Sequence, residues 1–109
     1  MRDHRYGRIV TVGSRAAVDP SGNMAAYIAA KAAVIAFTKS IAAETKGTHI
    51  TANCILPATI DTPANRKAMQ TKYIHKWVKP ESIAEVICFL ASERAADLRG
   101  AAIPIYGND

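Results

Sequence analysis

A serine, a tyrosine and a lysine occur at spacings that could support proton transfer to and from a bound oxygen. Tyr27 and Lys31 lie four residues apart in an alanine-rich stretch, and Ser14 precedes the tyrosine by thirteen positions. Side chains at i and i+4 share one face of a helix, so we expect the ammonium of Lys31 beside the phenol of Tyr27. A nearby cation favours the phenolate form and makes the phenol a better acid–base group at neutral pH. The three residues are therefore candidate catalytic residues.

The elements that must position these residues follow from apolar runs and turn residues. An apolar strand over Arg8–Val12 ends at Gly13 and Ser14, and a loop follows. The sequence predicts that loop over Arg15–Asn23, then a helix over Met24–Thr45, a strand over His49–Leu56, a loop with helical pieces over Ala58–Lys79, a helix over Glu81–Ser92 and a strand over Ala101–Tyr106. This alternation predicts an α/β fold with three parallel strands and right-handed crossovers.

The predicted long helix places Lys31 inside an apolar stripe. At 100° per residue, that stripe is formed by Met24, Ile28, Val34 and Ile35. A lysine there can bury its stem along the edge of the core and keep its ammonium in water. Because Tyr27 and Ser14 accompany it, we favour a functional role for Lys31.

Three segments carry the most specific motifs of the chain. They are Gly7–Ser14, Ala26–Val34 and Asn53–Pro63. In order and spacing, and over essentially the whole chain, they resemble the C-terminal half of a short-chain dehydrogenase/reductase. The run Ile60-Asp61-Thr62-Pro63-x-Asn65-Arg66-Lys67-x-Met69 also resembles the dihydropteridine reductase branch over a short stretch.

The resemblance implies a fold and a reaction. Residues 1–109 would form one partial NAD(P)-binding domain, the C-terminal half of a Rossmann-type doubly wound parallel sheet. The reaction would be hydride transfer between NAD or NADP and a small-molecule carbonyl or alcohol. Tyr27 would act as the general acid, and Ser14 would donate to the same substrate oxygen. Lys31 would favour ionisation of the tyrosine and bind the nicotinamide ribose.

The segment after the second strand would cover the nicotinamide in such an enzyme. It comprises Pro57, Ala58, Ile60 and Thr62, and the resemblance assigns the carboxamide to the backbone of Ile60 and the hydroxyl of Thr62. Ala58 departs from the usual Pro-Gly of the family, which restricts how closely the backbone can approach. Ser14 has an alternative role as a turn residue, and Thr62 or Asp61 as a helix N-cap.

Several parts of the resembled family are not encoded here. The sequence has no G-x-x-x-G-x-G turn for a pyrophosphate, no Asn-Ala-Gly strand and no helix carrying the fourth catalytic residue, an asparagine. All would lie upstream of Met1, so we expect Met1 to be an internal methionine, or the chain to be a remnant or a partial product.

Two hypotheses for the function stay open. The chain is either part of a nicotinamide-dependent oxidoreductase or a truncated non-catalytic fragment that folds or associates without cofactor.

Composition limits the remaining function classes. Half of the residues are apolar, which argues against disorder, and no apolar run is expected to reach the length of a membrane span. The two cysteines, Cys54 in a strand and Cys88 in a helix, lack C-x-x-C spacing and indicate buried, reduced thiols in a cytoplasmic protein. No His/Cys spacing predicts a metal site.

The net charge of +5 comes from 14 basic and 9 acidic residues. Part of the excess lies in Arg66, Lys67, Lys72, Lys76 and Lys79, interrupted by Tyr73 and Trp77. Such a stretch could bind nucleic acid through phosphates and stacked bases. We favour the interpretation that this stretch is a solvated helix face with both aromatic rings turned inward, and binding of an anionic substrate is an intermediate alternative.

The expected partners of the chain are a small-molecule substrate and further copies of the chain. We expect no binding to nucleic acid or to a membrane.

Overall fold

The computed structural model describes residues 1–109, and its elements follow the predicted order. Strands are β1 (Tyr6–Val12), β2 (His49–Pro57) and β3 (Ala102–Ile105); helices are α1 (Ala25–Glu44), α2 (Pro63–Met69) and α3 (Pro80–Leu90). Short 3₁₀ turns lie at Arg2–His4, Arg15–Ala17, Ile74–Lys76 and Glu93–Ala95. Predicted and observed boundaries of the strands and the two long helices differ by at most two residues.

The three strands form one parallel sheet in the order β1-β2-β3. Val12 pairs with Ile55, and Pro57 pairs with Ile105, so the carboxyl ends of all three strands meet at one edge. Crossover helices connect parallel strands, as the α/β prediction required. The predicted α/β class with three parallel strands is therefore confirmed.

The central strand β2 is buried along almost its whole length because helices cover both faces of the sheet. On one face, a core cluster joins Ile55 to Val78, Ile83 and Leu90. On the other face, α1 contacts the sheet through its buried residues Thr38 and Ala42. This two-sided packing holds the carboxyl edge of the sheet in place.

The apolar stripe predicted for α1 is wrong in part. Met24 is 40% exposed and Ile28, Val34 and Ile35 are only half-buried, whereas the residues of α1 that are buried are Thr38 and Ala42. The hydroxyls of Thr38 and Thr11 lie 2.6 Å apart, and the Thr38 hydroxyl donates to the Val34 carbonyl. The buried positions of α1 are therefore a small residue and a hydrogen-bonded threonine, and not the large apolar residues of the predicted stripe.

Helix α1 is also long and apolar enough to cross a membrane by length and composition. This contradicts the expectation that no run reaches that length. The alanine content explains the difference, since alanine raises hydropathy without forming a bulky apolar run. A single helix of this kind is weak evidence for a membrane span, because core helices of other proteins pass the same test.

Candidate functional site

The turn after β1 fixes the position of Ser14. The backbone N–H of Gly13 donates to the Ile55 carbonyl at 2.8 Å, which continues the pairing of β1 with β2. A Cβ at Gly13 would lie 2.9 Å from a Leu56 methyl and 3.0 Å from the Cys54 sulfur. Glycine is therefore required by close packing, and the chain turns at the carboxyl edge of the sheet directly before Ser14.

Ser14 is extended and only 8% exposed. Its Oγ accepts a hydrogen bond from the Ala16 N–H at 3.1 Å and caps the 3₁₀ turn Arg15–Ala17. Ser14 therefore does stabilise a turn, which is the alternative role that the sequence allowed for it. It uses an acceptor lone pair of the hydroxyl, so the O–H proton stays free to donate to another group.

Tyr27 and Lys31 lie in the first half of α1, as their spacing predicted. The Lys31 ammonium donates to the Val12 carbonyl at the end of β1, at 3.1 Å. It lies 5.9 Å from the centroid of the Tyr27 ring. The hydrogen bond to Val12 ties the lysine to the same edge of the sheet that positions Ser14. The Tyr27 side chain is 45% exposed and open to a ligand.

These residues line one open cavity of about 550 Å³ at the carboxyl edge of the sheet. Six of the seven predicted site residues contribute to its wall: Ser14, Tyr27, Lys31, Pro57, Ala58 and Ile60. The fold brings them together from the end of β1, the start of α1 and the end of β2. Ligands of open parallel sheets bind at this edge.

Thr62 is the predicted site residue that the structure does not bring to the cavity wall. Its Oγ1 accepts from the Asn65 N–H at 3.1 Å and caps α2, which is the alternative role considered for it.

Asp61, the other N-cap candidate, does not cap the helix. Its carboxylate forms a bidentate ion pair with Arg66: Nε donates to Oδ1 at 2.6 Å and Nη2 donates to Oδ2 at 2.9 Å. This hydrogen-bonded pair lowers the pKa of Asp61 below 3.8 and raises that of Arg66.

Asn65 is a cavity residue that sequence reasoning missed. Its Nδ2 donates to the Ile60 carbonyl at 2.8 Å, and its side chain lines the cavity beside Met69. The bond closes the turn between β2 and α2 and fixes the backbone that forms one wall. Its signals in the sequence were its place three residues after a potential N-cap and its position in the run Ile60–Met69.

Arg15 is a second missed residue, and it joins the Ser14 turn to the C-terminal segment. Its Nη1 donates to the Asp109 carbonyl at 3.1 Å, its Nε lies 3.5 Å from an Asp19 oxygen, and its guanidinium lies 4.8 Å from the centroid of the Tyr106 ring. The bond to Asp109 spans 94 positions of sequence, so no local pattern could have predicted the contacts of Arg15 with the C-terminal segment. Only the contact with Asp19, four positions away, is local.

The metal-ligating and thiol side chains of the chain form no second site. No group of three or more His, Cys, Asp and Glu side chains is arranged to hold a metal ion. Cys54 is buried as expected, but Cys88 is exposed, so the prediction of two buried thiols is wrong for the second. The outward position of Cys88 on α3 places its thiol away from the core.

The two aromatic residues of the basic stretch differ in exposure. The expectation that both turn inward is correct for Trp77, which is 9% exposed, and wrong for Tyr73, which is 49% exposed. The ammonium groups of Lys72 and Lys76 lie 5.4 and 5.0 Å from the centroid of the Tyr73 ring.

Comparison with known proteins gives matches over nearly the entire chain. Residues 1–107 match the family described as enoyl-(acyl carrier protein) reductase. The 3-oxoacyl-[acyl-carrier-protein] reductase MabA of Mycobacterium tuberculosis is 36% identical, with 98% of this chain and 47% of that protein covered. The acetoacetyl-CoA reductase of Paracoccus denitrificans is 38% identical, with 92% of this chain and 45% of that protein covered.

A solved structure has the same fold. A single-residue variant of actinorhodin polyketide ketoreductase with NADPH superimposes with a TM-score of 0.87 at 26% identity, covering 98% of this chain and 48% of that one. The chain belongs to the short-chain dehydrogenase/reductase family, as its motifs indicated. It spans about half the length of the curated relatives it matches. These relatives are oxidoreductases by name.

Proposed function

We propose that this chain supplies the catalytic residues of a nicotinamide-dependent oxidoreductase that interconverts a carbonyl and an alcohol. The observation that carries the proposal is the convergence of Ser14, Tyr27 and Lys31 on one cavity at the carboxyl edge of a parallel sheet. A phenol, a hydroxyl and an ammonium provide the proton donor, the second hydrogen bond and the positive charge that carbonyl reduction requires.

The cavity fits the nicotinamide end of NAD or NADP. It holds a lysine ammonium able to bind ribose hydroxyls and a backbone wall at Pro57, Ala58 and Ile60 for the ring. When bound, the cofactor supplies or accepts the hydride. No Gly-rich turn for the pyrophosphate occurs in the sequence, so the residues of this chain account for one end of the cofactor only. The choice between NAD and NADP stays open.

We assign the three residues the roles that the resemblance to the family implies, and their contacts are compatible with these roles. Tyr27 passes its proton to the oxygen that becomes the alcohol, and Ser14 donates a hydrogen bond to that same oxygen. Lys31 uses one of its three donors at the Val12 carbonyl, which leaves two for the cofactor ribose. Its positive charge stabilises Tyr27 once the tyrosine has lost its proton.

The substrate class follows from the reaction and from the relatives. The cavity is open to solvent and admits a small-molecule carbonyl or alcohol. The names of MabA and the acetoacetyl-CoA reductase describe reductases of 3-oxoacyl and acetoacetyl groups. We therefore propose a ketone or its alcohol as the substrate, in a reducing, cytoplasmic setting in keeping with two unpaired cysteines.

The second candidate function is a non-catalytic fragment that folds or associates without cofactor. The edge strand β1 favours it, since β1 pairs with β2 alone and leaves backbone groups on its other side without a strand partner. Such an edge is a template for association with another chain. We propose a homo-oligomer in either case, formed through this edge or the exposed face of α1.

The proposed role of Tyr27 is tested by Tyr27→Phe in a protein in which this chain is joined to the dinucleotide-binding half of a relative such as MabA. The substitution removes the proton donor and keeps the ring, so kcat should fall by about 10²–10⁴-fold while the fold is retained. Cofactor oxidation with a ketone substrate is the measurement. Tyr6→Phe, at the opposite end of β1, is the matched control and should keep full turnover.

Near-normal turnover by the Tyr27→Phe protein would remove the tyrosine from the mechanism. A joined protein that folds and binds cofactor but turns over no ketone or alcohol would favour the non-catalytic alternative.

A further inference from the structure

We infer that Arg15 is a positioning residue for Ser14, because its side chain ties the turn that begins at the serine to the segment that follows β3. The inference rests on the proposed function, since it concerns how the Ser14 hydroxyl is held at the site. Arg15 acts through the serine in this account and does not itself touch the reacting oxygen or the cofactor.

Ser14 is held firmly on its upstream side and only locally on its downstream side. Upstream, the Gly13 N–H donates to the Ile55 carbonyl and fixes the chain to the sheet. Downstream, the Ser14 Oγ accepts from the Ala16 N–H and the Ser14 carbonyl accepts from the Ala17 N–H, both at 3.1 Å. These two bonds belong to a single 3₁₀ turn, whose hydrogen-bond geometry is poorer than that of an α-helix. The turn therefore needs a further attachment to hold the hydroxyl in one place.

The side chain of Arg15 supplies that attachment. Its Nη1 donates to the Asp109 carbonyl at 3.1 Å, and its guanidinium lies 4.8 Å from the centroid of the Tyr106 ring. We call these two contacts the C-terminal clasp. A planar guanidinium can donate from its edge and stack on an aromatic face at the same time, which the ammonium of a lysine cannot do.

The C-terminal clasp joins two strands that are not neighbours. The strand order is β1-β2-β3, so the turn after β1 and the segment after β3 lie on opposite sides of β2. All three strands have their carboxyl ends at the edge that carries the cavity. Through the clasp, the turn that begins at Ser14 is connected to β3 as well as to β2.

The segment after β3 is itself anchored and can serve as a fixed support. The Asn108 N–H donates to the Lys76 carbonyl at 3.1 Å. Gly107 has φ +65°, and a Cβ there would lie only 2.8 Å from the same carbonyl oxygen. Glycine thus allows the close approach that attaches this segment to the loop before α3. The clasp therefore transfers a fixed position from one loop to the turn of Ser14.

Direct recognition of an anionic substrate by Arg15 is the alternative, since Arg15 lines the cavity. Two acidic residues, Asp19 and Asp109, line the same cavity, and an Asp19 carboxylate oxygen lies 3.5 Å from the Arg15 Nε. A substrate carboxylate would have to compete with these groups for the guanidinium. The contacts of Arg15 therefore favour a positioning role over binding of an anion.

A double-mutant cycle in the joined protein described for Tyr27 separates the two roles. Ser14→Ala should lower kcat by about 10²–10³-fold, because one donor to the developing oxyanion is lost. Arg15→Gln should lower kcat by about tenfold and leave KM almost unchanged, because the hydroxyl remains but is misplaced. In the Ser14→Ala protein, Arg15→Gln should have no further effect on kcat, since no hydroxyl is left to position.

Two further variants control for charge. Arg15→Lys keeps the positive charge without the guanidinium plane and should resemble Arg15→Gln. Arg94→Gln is the matched control, since the Arg94 guanidinium lies 5.6 Å from the centroid of the Phe89 ring and outside the cavity wall. It should keep full turnover.

Three kinetic results would overturn the inference. They are full turnover by Arg15→Gln or Arg15→Lys, a tenfold loss that persists in the Ser14→Ala protein, and a rise in the KM for the substrate with unchanged kcat. The last two would assign Arg15 to direct contact with the substrate.

Amide exchange in the labelled 109-residue chain tests the clasp without turnover. Arg15→Gln should speed exchange at Ala16 and Ala17 about threefold or more and leave Val10 in β1 unchanged. Unchanged exchange at Ala16 and Ala17 would overturn the inference. A joined protein that folds and binds cofactor but has no turnover would count against the proposed function, and the exchange rates would then decide the role of Arg15 alone.

Discussion

At the residue scale, the site depends on side chains that each make a structural contact and keep a free chemical group. Ser14 accepts from the Ala16 N–H and retains its hydroxyl proton. Lys31 donates to the Val12 carbonyl and retains two N–H donors. Such contacts restrict the rotamers of both side chains before any ligand arrives, and this preorganisation lowers the cost of binding a reacting group.

Asp61 and Arg66 give a pH prediction at the same scale. The Arg66 hydrogen bond lowers the pKa of Asp61, so the pair stabilises the turn into α2 above pH 3.8 and loses that effect as pH falls through the lowered pKa. The NMR titration midpoint of the Asp61 carboxyl should lie below 3.8 and rise towards that value in Arg66→Gln.

Lys67→Gln is the control for charge alone, since Lys67 does not contact Asp61 and its loss should leave the midpoint almost unchanged. A midpoint that does not move in Arg66→Gln would show that the ion pair does not persist in solution.

At the element scale, Thr62 shows how a predicted site residue can instead define a helix start. Its side chain caps α2, and α2 supplies Asn65 and Met69 to the cavity. Thr62→Ala should therefore destabilise α2 by about 0.5–2 kcal/mol, whereas Thr62→Ser keeps the cap. Amide hydrogen exchange at residues 65–69 measures this difference. Unchanged exchange in Thr62→Ala would show that the cap does not stabilise the helix.

Local patterns predicted the strands and the long helices because their periodicity and turn residues act over a few positions. The strand carrying Ile9, the Tyr27–Lys31 face and the end of β2 at Pro57 are of this kind. Exposure on α1 was predicted less well, since it depends on which side of the helix the sheet occupies. The apolar stripe around Lys31 gave no indication that Thr38 and Ala42 would be the buried residues of α1.

Long-range contacts account for the site residues that sequence reasoning missed. Arg15 reaches Asp109 across the sheet edge, and the carbonyl of Lys76 meets the backbone at Asn108. Both depend on how the carboxyl end of β3 is placed against the loops. Periodicity and spacing carry no information on such contacts, because the partners are tens of residues apart.

At the scale of the whole molecule, the chain exposes more surface than its size predicts. Its accessible surface is 7009 Å². A monomer of 11.7 kDa is expected to expose about 5,900 Å². The radius of gyration is 15.3 Å, compared with about 13 Å for a compact domain of this length. The excess, about 1,100 Å², is larger than the roughly 800 Å² that one partner contributes to a standard protein interface.

This surface predicts how the 109-residue chain behaves alone. It should self-associate or aggregate, because β1 offers an open edge and the ring of Phe37 on α1 is 60% exposed. It should also lack ordinary affinity for NAD(H) and NADP(H), since it has no Gly-rich pyrophosphate turn. Size-exclusion chromatography and calorimetric titration measure the two properties. A soluble monomer with micromolar cofactor affinity would contradict both expectations.

The central claim is that the cavity of Ser14, Tyr27 and Lys31 accepts the nicotinamide end of the cofactor. The most direct measurement is an NMR titration of the labelled chain with reduced nicotinamide riboside and, separately, with adenosine, a nucleoside of similar size that also lacks phosphate. We predict that the riboside shifts the amides of Ser14, Tyr27, Ala58 and Ile60 at millimolar concentration and that adenosine leaves them unchanged. Equal shifts with adenosine, or none with the riboside, would contradict the assignment of the site.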